Sequence, residues 1–183
     1  ANSPFSKLFF EPKYFLNYFK FFEKQLSQLC NELKKHIIMS TRTNIFQTQP
    51  EAYKAMFGLE KYINSTTLSP THKELIKIRA SQINGCAFCI NMHTTDARKQ
   101  GETEQRIYLL NAWRETKLYT EEERIILEMT EEITMIHQKG LSKATYAKAK
   151  NVFDDDYIGH IILMVTIINA WNRIGIASEL SVG

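Results

Sequence analysis

Cys86-Ala87-Phe88-Cys89-Ile90-Asn91-Met92-His93 places two thiols and an imidazole in one short run, and Glu74 stands twelve positions before Cys86. Residues at i, i+3 and i+7 fall on one face of an α-helix at about 100° per residue, so the three side chains converge if this stretch is helical. Convergence is what thiol chemistry needs. A nucleophilic cysteine must be a thiolate, and a helix N-terminus with a nearby imidazole draws a thiol pKa below its usual value of about 8.5. Asn84-Gly85 supplies a break that would put Cys86 in a first helical turn.

The surrounding sequence agrees with a helical reading. A C-x-x-C on a thioredoxin-like fold would need βαβ patterning, which is absent. No alternating apolar and polar run dominates, and seven glycines and four prolines in 183 residues are few. The expected fold class is therefore all-α, a bundle of six or seven helices joined by short loops. Gln49-Pro50 opens a helix near 50–63, with Tyr53, Met56, Phe57, Leu59 and Ile63 on its apolar face. Ser69-Pro70 caps a helix running to about Ile83 that carries Glu74 and Arg79. The next begins near Cys86 and stops before Gly101, and another is expected from Glu104 to Glu115. Thr120 followed by three glutamates forms a capping box for a helix ending before Gly140. Ser142 caps a segment to about Lys150, and Asp154 to Asp156 introduces the last helix, about 155–175. Its apolar run, Ile158 to Trp171, is interrupted by His160, Thr166 and Asn169. That run falls short of the roughly 18 apolar residues of a membrane span, so it reads as a central buried helix.

Composition bounds the partners. The length and a 44% hydrophobic content suit one soluble domain. Net charge is +3, and the excess sits in residues 1–43, with seven Lys or Arg against three Glu. The remaining sixteen basic and seventeen acidic residues leave a nearly neutral body, which argues against nucleic acid as a partner. Three cysteines cannot all pair within the chain, which favours a reducing, cytoplasmic compartment.

Residues 1–43 form a separate aromatic-rich, basic segment, from Phe5, Phe9 and Phe10 to Phe21 and Phe22, continued by Leu26, Leu29, Leu33 and Ile37. It has no secretory cleavage pattern. It reads either as an amphipathic membrane-surface or partner-binding helix, or as non-native sequence upstream of a start at Met39, with residues 44–183 forming the helical domain.

The cysteine pair itself has three readings: a redox dithiol, half of a zinc site, or two buried small residues. Zinc would need the unusual set Cys86, Cys89, His93 and Glu74, since the chain has no second C-x-x-C and no H-x₃₋₅-H. Cys30 reads as an inert apolar residue. His36, His72 and His137 read as surface or core histidines, and so does His160, although it interrupts an apolar helix that a neighbouring subunit could bring near the thiols.

Glu74, Ser81, Cys86-x-x-Cys89-x-x-x-His93 and Gly101 together resemble the E-x₁₁-C-x-x-C-x₃-H signature of the alkylhydroperoxidase D-like (AhpD-like) branch of the carboxymuconolactone decarboxylase superfamily. The resemblance is tight over these thirty residues. It extends loosely over 44–180, through Phe57-Gly58-Leu59 and Asn169-Ala-Trp171-Asn172-Arg173, and does not reach residues 1–40. It implies an all-α fold assembling as a trimer or hexamer, and a peroxidase acting on organic hydroperoxides without metal or organic cofactor. Cys89 would be the peroxidatic thiol, Cys86 the resolving thiol, and His93 with Glu74 a proton relay. The reductant would be an external dithiol, a lipoyl domain or a thioredoxin-like protein. One position departs from the pattern: Phe88 stands where well-known members carry a histidine, which leaves the relay one imidazole shorter. The decarboxylase branch does not use the cysteine pair, whose presence disfavours lactone decarboxylation. A non-enzymatic redox sensor or oligomeric binding protein, and a zinc-stabilised structural protein, are the alternatives.

Overall fold

The caps written into the sequence set where the helices begin. The computed structural model describes residues 42–182, so the N-terminal segment, with Cys30 and His36, lies outside the described residues except for Arg42 and Thr43. Among the described residues the chain forms helices α1 (Ile45–Thr48), α2 (Pro50–Asn64), α3 (Pro70–Asn84), α4 (Ala87–Lys99) and α5 (Glu104–Tyr108). A 3₁₀ helix (Leu110–Glu115) follows, then α6 (Glu121–Thr134), α7 (Lys143–Val152) and α8 (Asp155–Ala177). No strand occurs among them. Ser69, Thr120, Ser142 and Asp154 each accept a hydrogen bond from the backbone N–H three residues on, which satisfies an orphan donor of the first turn. At Thr120 the Glu123 carboxylate also accepts from the Thr120 N–H, completing the capping box.

The elements outnumber the six or seven helices expected, since α1 was not foreseen and one helix is split, and two of the expected elements differ for identifiable reasons. The helix expected over Glu104–Glu115 breaks after Tyr108, with Ala112 at φ −116° and ψ 27° inside the 3₁₀ piece. The Tyr119 hydroxyl donates to the Arg106 carbonyl, the acceptor that a continuing α-helix would offer to Leu110 N–H. The tighter turn also lines Leu110 up with Trp113, and both are buried. The helix expected to reach Gly140 stops at Thr134 because Glu132 pulls the chain back on itself. Its carboxylate accepts from Ser142 N–H at 2.7 Å and from Thr145 Oγ1 at 2.8 Å, tying α6 to the start of α7.

The centre of the bundle is α3, which packs against α4, α6 and α8. One of its faces sends Ile76 and Ala80 into a cluster with Ile126, Met129, Ile161, Met164, Val165 and Ile168. The other sends Leu75 and Ile78 into a second cluster with Ala97, Leu110, Trp113 and Leu127. The last helix, expected to be a central buried one, shares this centre: it packs against α2, α3, α4, α6 and α7. By length and composition α8 could cross a membrane, but it lines one side of the core, with Ile158, Ile161, Met164, Val165, Ile167 and Ile168 inside and Leu163 and Ile176 exposed. In α2 only Ile63 is buried, while Tyr53 and Phe57 pack their rings on Trp171, whose Nε1 donates to Glu60 at 3.0 Å.

Candidate active site

The site is assembled where α3 hands over to α4. Gly85 terminates α3 with φ 72°, a left-handed conformation that lets the chain turn at once into the next helix. Cys86 consequently lies one residue outside the first turn, as the N-cap of α4, and its Sγ accepts from Cys89 N–H at 3.4 Å. Cys89 sits in the first turn, at the positive end of the helix dipole, where a thiolate is favoured. The two cysteines are joined as a disulfide and are almost fully buried.

His93, one turn beyond Cys89 on α4, is also buried. Its Nδ1 lies 3.2 Å from Glu74 Oε2 on α3. The structure thus brings together Glu74 and His93, and Cys86 and Cys89, as two couples at the α3–α4 junction. Burial pushes the Glu74 carboxyl up, but the His93 hydrogen bond and the charge of Lys77 outweigh it and hold Glu74 below its usual value. An ionised Glu74 selects the His93 tautomer with hydrogen on Nδ1 and leaves Nε2 as the free base.

Lys77 is a site residue that the sequence reading missed. Its Nζ donates to Glu74 Oε1 at 3.2 Å, and both side chains are buried. The signal was present as an i, i+3 acid–base pair on a helix. Lys77→Met is expected to raise the Glu74 pKa, since burial would then be less opposed. The pH at which His93 loses its ionised partner should climb, read as an upward shift in the pH profile of Cys89 alkylation in the reduced protein. Stability should fall by about 2 kcal/mol as Glu74 loses a charged hydrogen bond, read from the denaturant midpoint.

An amide network holds this junction against α8. Asn84 Nδ2 donates to Asn169 Oδ1 at 3.0 Å and to Asn172 Oδ1 at 2.8 Å, and the fully buried Asn172 donates to Ser81 Oγ at 2.9 Å. Buried amides paired in this way fix one register between helices. Polar residues recurring inside the apolar α8 were the visible sign of this network.

Among the described residues the other histidines have partners or positions of their own. His72 Nδ1 is 2.7 Å from the Tyr157 hydroxyl, His137 is exposed, and the His160 ring packs edge-on near Tyr62. Among the described residues no three His, Cys, Asp or Glu side chains gather as a metal-ligand group. Arg173 donates to Asn169 on its own helix.

Known proteins resemble this chain in sequence and fold. Residues 50–132 match the carboxymuconolactone decarboxylase family. YdfG of Bacillus subtilis (strain 168), an uncharacterized protein, is 48% identical over 139 residues, covering 76% of this chain and 95% of YdfG. A crystal structure of an Agrobacterium tumefaciens protein of unknown function, put forward as an antioxidant defence protein AhpD, superposes with a TM-score of 0.76 at 39% identity, covering 79% of this chain and 99% of that one. An uncharacterized peroxidase-related protein from Silicibacter sp. TM1040 shares the fold, with a TM-score of 0.68 at 21% identity over 93% of this chain and 85% of its own.

Proposed function

The chain belongs to the carboxymuconolactone decarboxylase family, in its AhpD-like branch, and we propose on that premise that it is a thiol-dependent peroxidase for organic hydroperoxides. The observation that carries the proposal is the junction itself: a cysteine pair at a helix N-terminus, with a buried His93–Glu74 couple one turn along the same helix. Antioxidant and peroxidase-related roles attached to structural neighbours point the same way.

In the proposed cycle His93 Nε2 takes the Cys89 proton, and Glu74 stabilises the imidazolium that results. The Cys89 thiolate attacks the outer oxygen of ROOH. The O–O bond breaks, sulfur is oxidised to sulfenic acid, and the departing alkoxide leaves as ROH with the proton returned from His93. Cys86 then attacks the Cys89 sulfur, water leaves, and the disulfide forms. An external dithiol, from a lipoyl domain or a thioredoxin-like protein, supplies two electrons and two protons to reopen it. No metal or organic cofactor takes part in this scheme.

A cytoplasmic homo-oligomer, a trimer or hexamer, completes the reading. Leu59 and Tyr62 on α2 and Leu163 and Ile176 on α8 are exposed apolar side chains of the kind a second subunit covers.

Single-turnover reaction of the reduced protein with cumene hydroperoxide tests the cycle. Loss of two protons by intact mass, with Cys86 linked to Cys89 in the peptide map, is the expected result. Both thiols remaining reduced would overturn it, and rapid closure with negligible catalytic turnover would point instead to a redox sensor.

A further inference from the structure

Both sulfurs are covered, since Cys86 is 2% and Cys89 3% exposed. Part of the cover is the C-terminal end of α8. A Cβ placed on Gly175 would stand 3.4 Å from Cys86 Sγ, 3.6 Å from Cys89 Sγ and 3.9 Å from Leu180 Cδ1. Glycine therefore lets the α8 backbone lie close to the disulfide, and the Leu180 side chain closes in at the same point.

The way α8 ends explains how Leu180 gets there. Glu179 N–H donates to Ile176 O at 3.1 Å, and Leu180 N–H donates to Gly175 O at 2.9 Å. This crossed pair folds the chain back, so that the residue after the turn packs on the last turn of its own helix. The turn needs a left-handed residue, a place usually taken by glycine. Among the described residues Glu179, at φ 54°, is the one non-glycine residue with positive φ. A side-chain-bearing residue holds that conformation when its surroundings over-determine it. Arg42 is one such constraint: its Nε lies 2.7 Å from Glu179 Oε1, and its Nη1 donates to the Ala177 carbonyl at 3.2 Å. The turn thus sets the Leu180 side chain beside the point where Gly175 meets the two sulfurs. Ser178, on the same turn, is buried with its Oγ unpaired among the described residues.

We propose that Leu180 is the gate and the specificity-determining residue of the dithiol site. Reagents reach Cys86 and Cys89 past its side chain, and hydroperoxides whose –OOH is attached to a hydrocarbon group are selected over hydrogen peroxide. A hydrocarbon group that lies against Leu180 and the bare backbone of Gly175 leaves water, and hydrogen peroxide has no such surface to bury. The substrate preference rests on the peroxidase reading, whereas the gating of the disulfide does not.

The two parts are separated by following reduction first and oxidation second. The oxidised protein and its Leu180→Ala and Arg42→Gln variants are treated with excess dithiothreitol. Its thiolate attacks one sulfur, the mixed disulfide resolves, and the reagent leaves as its cyclic disulfide, having given two electrons and two protons to the cysteine pair. Leu180→Ala is expected to be reduced on the order of tenfold faster, because exchange rates follow access to the sulfur. Arg42→Gln should show a smaller acceleration, and Leu180→Trp should be slower than the parent, a change of opposite sign that does not depend on loosening the fold. The reduced proteins then meet cumene hydroperoxide and hydrogen peroxide separately in single turnovers. The ratio of the two rates should fall on the order of tenfold in Leu180→Ala, the scale that a few methylene contacts provide.

Unchanged reduction rates in all three variants overturn the gate, even if the parent consumes hydroperoxide. Faster reduction of Leu180→Ala with an unchanged rate ratio overturns the selectivity alone. Faster reduction with no consumption of either peroxide by any of the proteins overturns the peroxidase reading and leaves Leu180 as the gate for thiol–disulfide exchange.

Discussion

Under the proposed cycle, Cys89→Ser should abolish hydroperoxide reduction, a fall of roughly 10³-fold or more, as expected when the nucleophile of a cycle is removed. Serine keeps the shape of the first turn of α4, where Cys89 is buried, so the fold is retained and the loss is chemical. Cys86→Ser fails differently. Its Cys89 should still attack the peroxide, but with neither a resolving thiol nor an external dithiol the reaction should halt at the sulfenic acid, about 16 Da heavier, after one turnover. Intact mass after a single turnover in the absence of external dithiol separates the two. If Cys89→Ser retained activity while Cys86→Ser lost it, the roles of the two thiols would be reversed. Full activity in both would remove the cysteine pair from the mechanism. His72→Ala is the control: its ring pairs with Tyr157, and its loss should leave turnover nearly intact.

The largest effect on stability is expected at Glu131, far from these thiols in the sequence. This buried carboxylate on α6 accepts from Arg79 Nε at 2.8 Å and from Trp113 Nε1 at 2.8 Å, and pairs with Arg114. It therefore ties α3 and the 3₁₀ helix to α6. Glu131→Ala leaves the guanidinium of Arg79 and the indole N–H of Trp113 without their acceptor, and should cost about 3–5 kcal/mol, since one partner of a buried pair is removed. Chemical denaturation followed by circular dichroism measures it.

Acid should act through the same group. Burial pushes the Glu131 carboxyl up, but the hydrogen bonds from Trp113 and Arg114 and the charge of Arg79 hold it below its ordinary value of 4.5. Glu74 and Glu123 are depressed in the same sense, Glu123 through Arg106. A group with a lowered folded pKa contributes stability that is present above the unfolded value and lost as the pH falls through the folded one. Stability should therefore fall most steeply below 4.5. Burial also pushes the His72 imidazole down from 6.5, which adds a shallower decline beginning there. Glu131→Gln should flatten the steep part, and an unchanged acid limb would remove Glu131 from it.

The local order of this protein is legible residue by residue. Ser69-Pro70, Thr120 with Glu123, Ser142 and Asp154 mark helix starts because capping is a contact between near neighbours. The spacing of Cys86, Cys89 and His93 with Gly85 is likewise a local matter, which is why the candidate site can be named from the chain alone.

What escaped the sequence depends on partners remote along the chain. That α3 is also a hub escaped the hydropathy pattern, because Lys73, Glu74 and Lys77 are buried and Arg79 half-buried once Asn64, His93 and Glu131 are brought to them. The break after Tyr108 needs the Tyr119 hydroxyl, and the end of α6 at Thr134 needs Ser142 and Thr145 on Glu132. The cover over the thiols is the furthest removed of all, for it joins Arg42 to Glu179 and sets Gly175 beside Cys86 and Cys89. By itself the sequence determined where most helices start and which thiols and imidazole share one helix, since both rest on contacts within a few turns. Only the tertiary structure decided which charges are buried and what stands over the sulfurs, because each depends on distant segments meeting.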